Sequence, residues 1–177
     1  MEESGSLIMN DCLKNAQNCL CIQSVNLKES QVFVRDEIDL PALDRDETAI
    51  QSFRAVAKVK EILLTDSDGE EVWDYHFFYS VGVRLIFIEE NEESTKDGYK
   101  PILEIAGVFE AKYSSKKKLS EEEKKSFSAD NVGYHVWPYW REYVQSSCAR
   151  TGFSPVLEVP VYIIPRKEKS SEPRKEV

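Results

Sequence analysis

The sequence predicts an α+β fold in which antiparallel strands come first and one long helix follows. Three observations carry that reading. Trp73, Tyr75, Phe77, Tyr79, Val81, Val83, Leu85 and Phe87 all fall on odd positions, the period-two pattern of a strand face pressed against something large. Val132, Val136, Trp140, Val144 and Cys148 recur every four residues, which aligns one apolar stripe along a helix. Asp68-Gly69 lies between two alternating runs and tolerates positive φ, so the strands on either side turn back on each other as a tight hairpin.

The elements follow in order. Residues 1–18 are polar and read as loosely ordered, or as a short helix around Asp11 to Gln17. Leu20 to Val34 alternates imperfectly around Lys28 and Glu29, as an edge strand with a bulge does. Residues 35–50 are acidic, contain a proline, and read as a crossing loop. Phe53, Ala55, Ala57 and Val59 alternate with Arg54, Lys58 and Lys60 in a half-buried strand that runs to about Leu64.

The even face of the Trp73 strand carries Asp74, His76, Ser80 and Arg84, but also Phe78, Ile86 and Ile88, so one end of the sheet is apolar on both sides. An acidic loop from Glu89 to Lys100 leads into a strand whose Leu103, Ile105, Phe109, Ala111 and Tyr113 share a face. Gly107 marks a bulge or a close neighbour there. Ser120 and Glu123 form a capping box that opens a short solvated helix. Asp130 or Asn131 is the expected cap of the main helix, which Pro138 should bend. Gly152 stands where a left-handed residue ends it. An extended arm follows, with Phe153, Val156, Leu157, Val159, Val161 and Ile163, and with Pro155 and Pro160 preventing a return to helix. The expected organisation is a loosely ordered segment over 1–18, one domain over 19–164 and a disordered polar tail over 165–177.

Composition narrows the function. At 177 residues and 41% apolar content the chain can bury a core of its own. No apolar run is long enough to span a bilayer, and the N-terminus lacks the pattern of a signal peptide. Cys12, Cys19, Cys21 and Cys148 show no paired spacing and read as reduced thiols, consistent with a cytoplasmic protein. A formal charge of −9 disfavours nucleic acid and anionic membranes as partners. The chain is read as a non-enzyme without cofactor or metal. His76 and His135 have no ligand spacing around them, and phosphate-cradling glycine loops are absent. His135 and Cys148 stand roughly 20 Å apart along one helix, too far for a nucleophile pair. What stands out instead is the aromatic surplus of Tyr134, Trp137, Tyr139, Trp140 and Tyr143, distributed around the helix axis.

Two motifs in this region occur in order. Trp137-Pro138-Tyr139-Trp140-Arg141-Glu142 is similar to the aromatic-Pro-Tyr-x-Arg-Glu core of the SecB family of export chaperones. The segment from Arg150 to Val161 resembles that family's Arg-Gly-x-Phe-Pro-x-Leu-x-Leu-x-Pro-Val arm, with a shifted glycine. The resemblance implies a four-stranded antiparallel sheet with the long helix packed on it. It also implies a homotetramer, a dimer of dimers held through helix residues such as Trp137, Trp140, Tyr143 and Val144.

Non-native polypeptide clients, preproteins or an antitoxin, would then be bound without ATP in an apolar groove. Its expected lining is Phe153, Val156, Leu157, Val159 and Tyr162 with Phe78, Ile86 and Ile88. Ile22-Gln23 through Lys28-Glu29 resembles the family pattern whose acidic residue contributes to docking the SecA motor, which implies a role for Glu29. One departure is visible. The family continues from the arm into a second helix, for which Tyr162-Ile163-Ile164-Pro165 leaves no room. That favours a divergent relative, such as the solitary chaperones that protect an antitoxin, beside the export role. A scaffold module that holds one fixed partner is the alternative from another class.

Overall fold

In the computed structural model, which describes residues 2–65 and 67–162, the alternating segments become four long strands. These are β1 (Cys21–Val34), β2 (Thr48–Thr65), β3 (Glu71–Phe87) and β4 (Leu103–Ser115). They form one antiparallel sheet in the order β1-β4-β3-β2. The crossing loop over 35–47 carries the chain from one edge strand to the other. A helix α1 (Glu2–Cys19) precedes the sheet, and α2 (Glu121–Thr151) follows it.

The alternation in β3 and β4 reads directly as two faces. Tyr75, Phe77, Tyr79, Val81, Val83 and Leu85 of β3 are buried on one side, in register with Leu103, Ile105, Phe109, Ala111 and Tyr113 of β4. The stripe Val132, Val136, Trp140, Val144 and Cys148 of α2 lies on this face, and all five side chains are buried. Tyr113 meets the rings of Phe77 and Phe127 edge-on at 5.5 and 5.1 Å, Phe77 and Phe127 lie tilted to each other at 5.8 Å, and Trp140 meets Phe109 at 6.5 Å. The Tyr75 hydroxyl accepts the Leu119 N–H at 2.7 Å, which fixes the entry to α2.

Four local expectations are corrected. The N-terminal segment takes the helical alternative, longer than the stretch around Asp11 to Gln17, over Glu2–Cys19, with Ala16 fully buried and Gln17 donating to Asn131 of α2 at 3.3 Å. In the turn between β2 and β3, Gly69 rather than the Asp68-Gly69 pair takes positive φ, at +84°. In β2 a bulge at Ala57 shifts the register between Val56 and Lys58. The helix-facing residues are therefore Ile50, Ser52, Arg54 and Val56, then Val59, while Phe53 and Ala55 point the other way. No glycine or proline marks that bulge in the sequence.

The fourth correction concerns α2, which is one continuous helix and needs no second cap at Asp130 or Asn131. Ser120 and Glu123 form the expected capping box, with the Glu123 carboxylate accepting the Ser120 N–H at 2.8 Å. At the other end Gly152 adopts φ +72°, and the N–H groups of Gly152 and Phe153 both reach the Cys148 carbonyl. The expected tail over 165–177, and the expected lack of a second helix, bear on residues outside the described ones.

One ion cluster pins the loops at one end of the sheet. Arg35 donates to both Glu90 oxygens, at 3.0 and 2.8 Å, and to the Lys100 carbonyl. Tyr99 donates to Glu90 at 2.6 Å. The hydrogen bond from Arg35 holds the Glu90 carboxyl below its ordinary range, against the opposing effect of burial. Burial, and then the neighbouring Glu90, push the Tyr99 phenol up to about 12.

Candidate functional site

After Gly152 the chain crosses back over the helix-covered face as an arm. Phe153 and Leu157 anchor it, each 2% exposed. The crossing loop clamps the first anchor, because the Arg45 guanidinium lies 4.2 Å over the Phe153 ring and donates to the Pro155 carbonyl at 3.0 Å. The far end of the arm is held by Trp137, whose Nε1–H donates to the Pro160 carbonyl at 2.7 Å. Tyr162 packs on Trp137 with ring centroids 5.1 Å apart. It fits there because Gly133 has no side chain: a Cβ at that position would lie 2.5 Å from the Tyr162 hydroxyl and 2.7 Å from that of Tyr79. Burial raises the pKa of both phenols.

Between this arm, α2 and the edge strand β2 lies a hollow of about 460 Å³. Ile50, Ser52 and Arg54 form one wall, Trp137 and Trp140 the floor, and Glu158 to Val161 the other wall. Its rim exposes apolar surface, with Val161 69% and Ile50 47% accessible. Arg54 sits at the mouth, 4.5 Å from the Tyr162 ring centre and 5.3 Å from that of Trp137. The hollow can therefore bury aliphatic or aromatic side chains, and it offers a cation, a carboxylate (Glu158) and the free edge of β2 as polar handles.

The residues expected from sequence divide among different places. Val159 lines this hollow, and Tyr162 and exposed Val156 belong to the same arm. Phe153 and Leu157 are core anchors. Phe78 and Ile86 project from the opposite face of the sheet, because even positions of β3 point away from α2, and Ile88 stands exposed just beyond that strand. The structure does not bring these three to the arm.

Trp140 and Val144 are 1% and 0% exposed inside the subunit, and Trp137 is 8% exposed. Trp140 and Val144 therefore present almost no surface to a second copy, and the little that Trp137 exposes lines the hollow. Tyr143 is half-buried beside Trp140. Glu29 lies exposed on the open face of β1, beside the second register shift of that strand. Ile50, Ser52 and Arg54 were not legible as site residues, since the Ala57 bulge inverts the face that simple alternation assigns to them.

Among the described residues lining this hollow there is no histidine or cysteine. His135 meets the Tyr113 hydroxyl at 2.9 Å, and burial lowers its pKa. Burial raises that of the Cys148 thiol, which disfavours its thiolate form. Among the described residues there is no His, Cys, Asp and Glu grouping that could hold a metal ion, and no helix long and apolar enough to cross a membrane.

No protein-family model and no curated protein matches the chain. A solved structure does: the Mycobacterium tuberculosis Rv1957 SecB-like chaperone, in complex with a ChAD peptide from the Rv1956 HigA1 antitoxin. The two superpose with a TM-score of 0.57 at 14% identity, over 88% of this chain and 99% of that one. The order of strands, the long helix packed on one face and this likeness agree, and the chain has the SecB-like fold.

Proposed function

We propose that the chain is a non-enzymatic cytoplasmic chaperone that holds non-native polypeptide, without nucleotide, in the hollow between β2, α2 and the arm. The lining of that hollow carries the reading. It combines indole surfaces, exposed Ile50 and Val161, and an unpaired strand edge, with no built pocket for a small polar substrate. Burial is non-directional, at about 25 cal/mol per Å², so such a surface accepts many sequences. The site residues in this proposal are Ile50, Arg54, Val159 and Val161, with Val156 and Tyr162 at the margins.

A dedicated client of the antitoxin kind is favoured over preprotein export, since the similar mycobacterial chaperone was solved with an antitoxin peptide. Docking of SecA through Glu29 has less support, because Phe33 stands where the family would have a second acidic residue. A homo-oligomer is part of the proposal. Its contact surface would be the helix-side margin of β1, where Ile22, Leu27 and Val32 are 41–43% exposed, rather than the buried Trp140.

The test is suppression of aggregation of a chemically unfolded client, measured beside a thermal melt. Val161→Asp should abolish most of the holding activity while the melt stays unchanged, because a client would have to desolvate the new carboxylate. Full activity in that variant would remove the hollow as the client site.

A further inference from the structure

The sheet face turned away from α2 carries a second arrangement that the hollow does not use. Across the strands Lys60 is in register with His76, and His76 with Lys112. In the next row Lys58 is in register with Phe78, and Phe78 with Glu110. Lys28, displaced by the bulge in β1, reaches Glu110 at 3.0 Å, and Lys112 approaches the same carboxylate at 3.8 Å. His76 donates to its other oxygen at 2.8 Å. With strands about 4.8 Å apart, four ammonium groups thus cover a patch about 15 Å wide. Only one carboxylate lies beneath them, and its side chain is 5% exposed.

Among the described residues Lys58 and Lys60 enter no ion pair, and Lys58 rests 5.6 Å over the Phe78 ring. The other carboxylates on this face, Asp74, Glu29 and Glu104, flank the patch. Beyond the lysines the face becomes flat and apolar. Phe53, 53% exposed, lies across Gly82, where a Cβ would come within 2.3 Å of its ring; Ala106 and Val108 continue the strip.

We propose that this open face is a second docking surface, for a partner polypeptide segment that carries carboxylates followed by large apolar side chains. Charge complementarity selects the acidic part. Four ammonium groups share the single carboxylate of Glu110, and Lys58 and Lys60 enter no ion pair among the described residues, while the exposed phenyl and its flat surroundings take the apolar part. A nucleic acid fits less well. A long polyanion would run past the patch into the acidic loops over 36–47 and 89–97, whereas a short segment stays beyond their screened reach of about 8 Å. The surface lies across the sheet from the hollow, so both can be occupied at once.

The test uses the full chain and a fluorescein-labelled peptide, Glu-Ser-Glu-Ser-Leu-Ser-Phe-Ser-Gly, followed by anisotropy. Binding should weaken about tenfold in the double variant Lys58→Glu with Lys60→Glu, and again on raising salt to ~0.5 M. Phe53→Ser should weaken it severalfold, while Lys125→Glu, outside the patch, should leave it unchanged. Thermal melts confirm that each variant is folded. Absence of binding, or equal binding by wild type and the double variant, would overturn the proposal. So would displacement of the peptide by an oligodeoxythymidine of equal charge at equal or lower concentration, which would make the face a general polyanion site. Because the peptide assay does not involve the arm, its failure leaves the hollow untouched, and failure of Val161→Asp to affect holding leaves this face untouched.

Discussion

The two faces of the sheet are built from the same strands and do opposite work. The face under α2 is closed: Tyr75, Phe77, Trp140 and Tyr113 are buried there, with Phe77 packed on Tyr113 and Trp140 on Phe109. The other face buries Glu110, His76 and, at one end, Ile86, and between them presents lysines, small residues and the exposed phenyl of Phe53. Most of the buried apolar surface lies on the first side and much less on the other. A binding surface can therefore change on the open face, or at the margin of the closed one, without disturbing the core.

The contrast can be broken most directly by Trp140→Glu. Loss of a buried indole costs about 3–5 kcal/mol, and a carboxylate in its place costs more, so the variant should not show a cooperative melt. A folded but dissociated Trp140→Glu subunit would mean that α2 is an interface and not a core helix. Leu157→Asp comes next and should destabilise by several kcal/mol, because Leu157 anchors the arm. A stable Leu157→Asp protein that no longer holds clients would return that residue to the binding surface.

Gly133→Ala should cost about 1–3 kcal/mol by pushing Tyr162 off Trp137, seen as a red shift of tryptophan emission together with a lower melting temperature. Glu110→Gln should cost about 1–3 kcal/mol, since it leaves Lys28 and His76 without their anion. Its pH dependence gives a separate check. Burial opposes ionisation of Glu110, but Lys28 and His76 outweigh it and hold its pKa below the ordinary value of 4.5. The folded state therefore binds this proton less readily than the unfolded chain. The associated stability is complete above pH 4.5 and drains away as the pH falls from there through the folded pKa. Urea titrations over that range should fall less steeply for Glu110→Gln than for wild type. The smallest effect is expected at Phe53→Glu, within about 0.5 kcal/mol of wild type, because its ring is already half in water.

The closed face was the legible one. Its period-two and period-four stripes, the capping box at Ser120 and the left-handed Gly152 are local patterns with one physical meaning each, and all of them stand in the structure. The binding surfaces were less legible, because they depend on register. The Ala57 bulge transfers Arg54 to the arm side and Phe53 to the open side, and nothing at Ala57 or Lys58 announces it. The arm misled for a different reason. Phe153, Val156, Leu157 and Val159 look alike as an apolar run, but Phe153 and Leu157 are swallowed by the core while Val156, the neighbour of Leu157, faces solvent. The N-terminal helix has a polar sequence whose ordering comes from α2, a contact that no window of local residues contains.

The register shifts have a further consequence for how such a molecule survives its own stickiness. Both border strands are irregular, β1 between Ile22 and Ser24 and again between Leu27 and Glu29, and β2 between Val56 and Lys58. The two inner strands pair without interruption from Trp73 to Leu85. An intruding chain that tried to extend the sheet from either border would lose its matched hydrogen bonds at each interruption and would have to bend to continue. Neither border is a long flat template on which a misfolded segment could seed a growing fibril, so exposed apolar side chains at the margins need not become nuclei for aggregation.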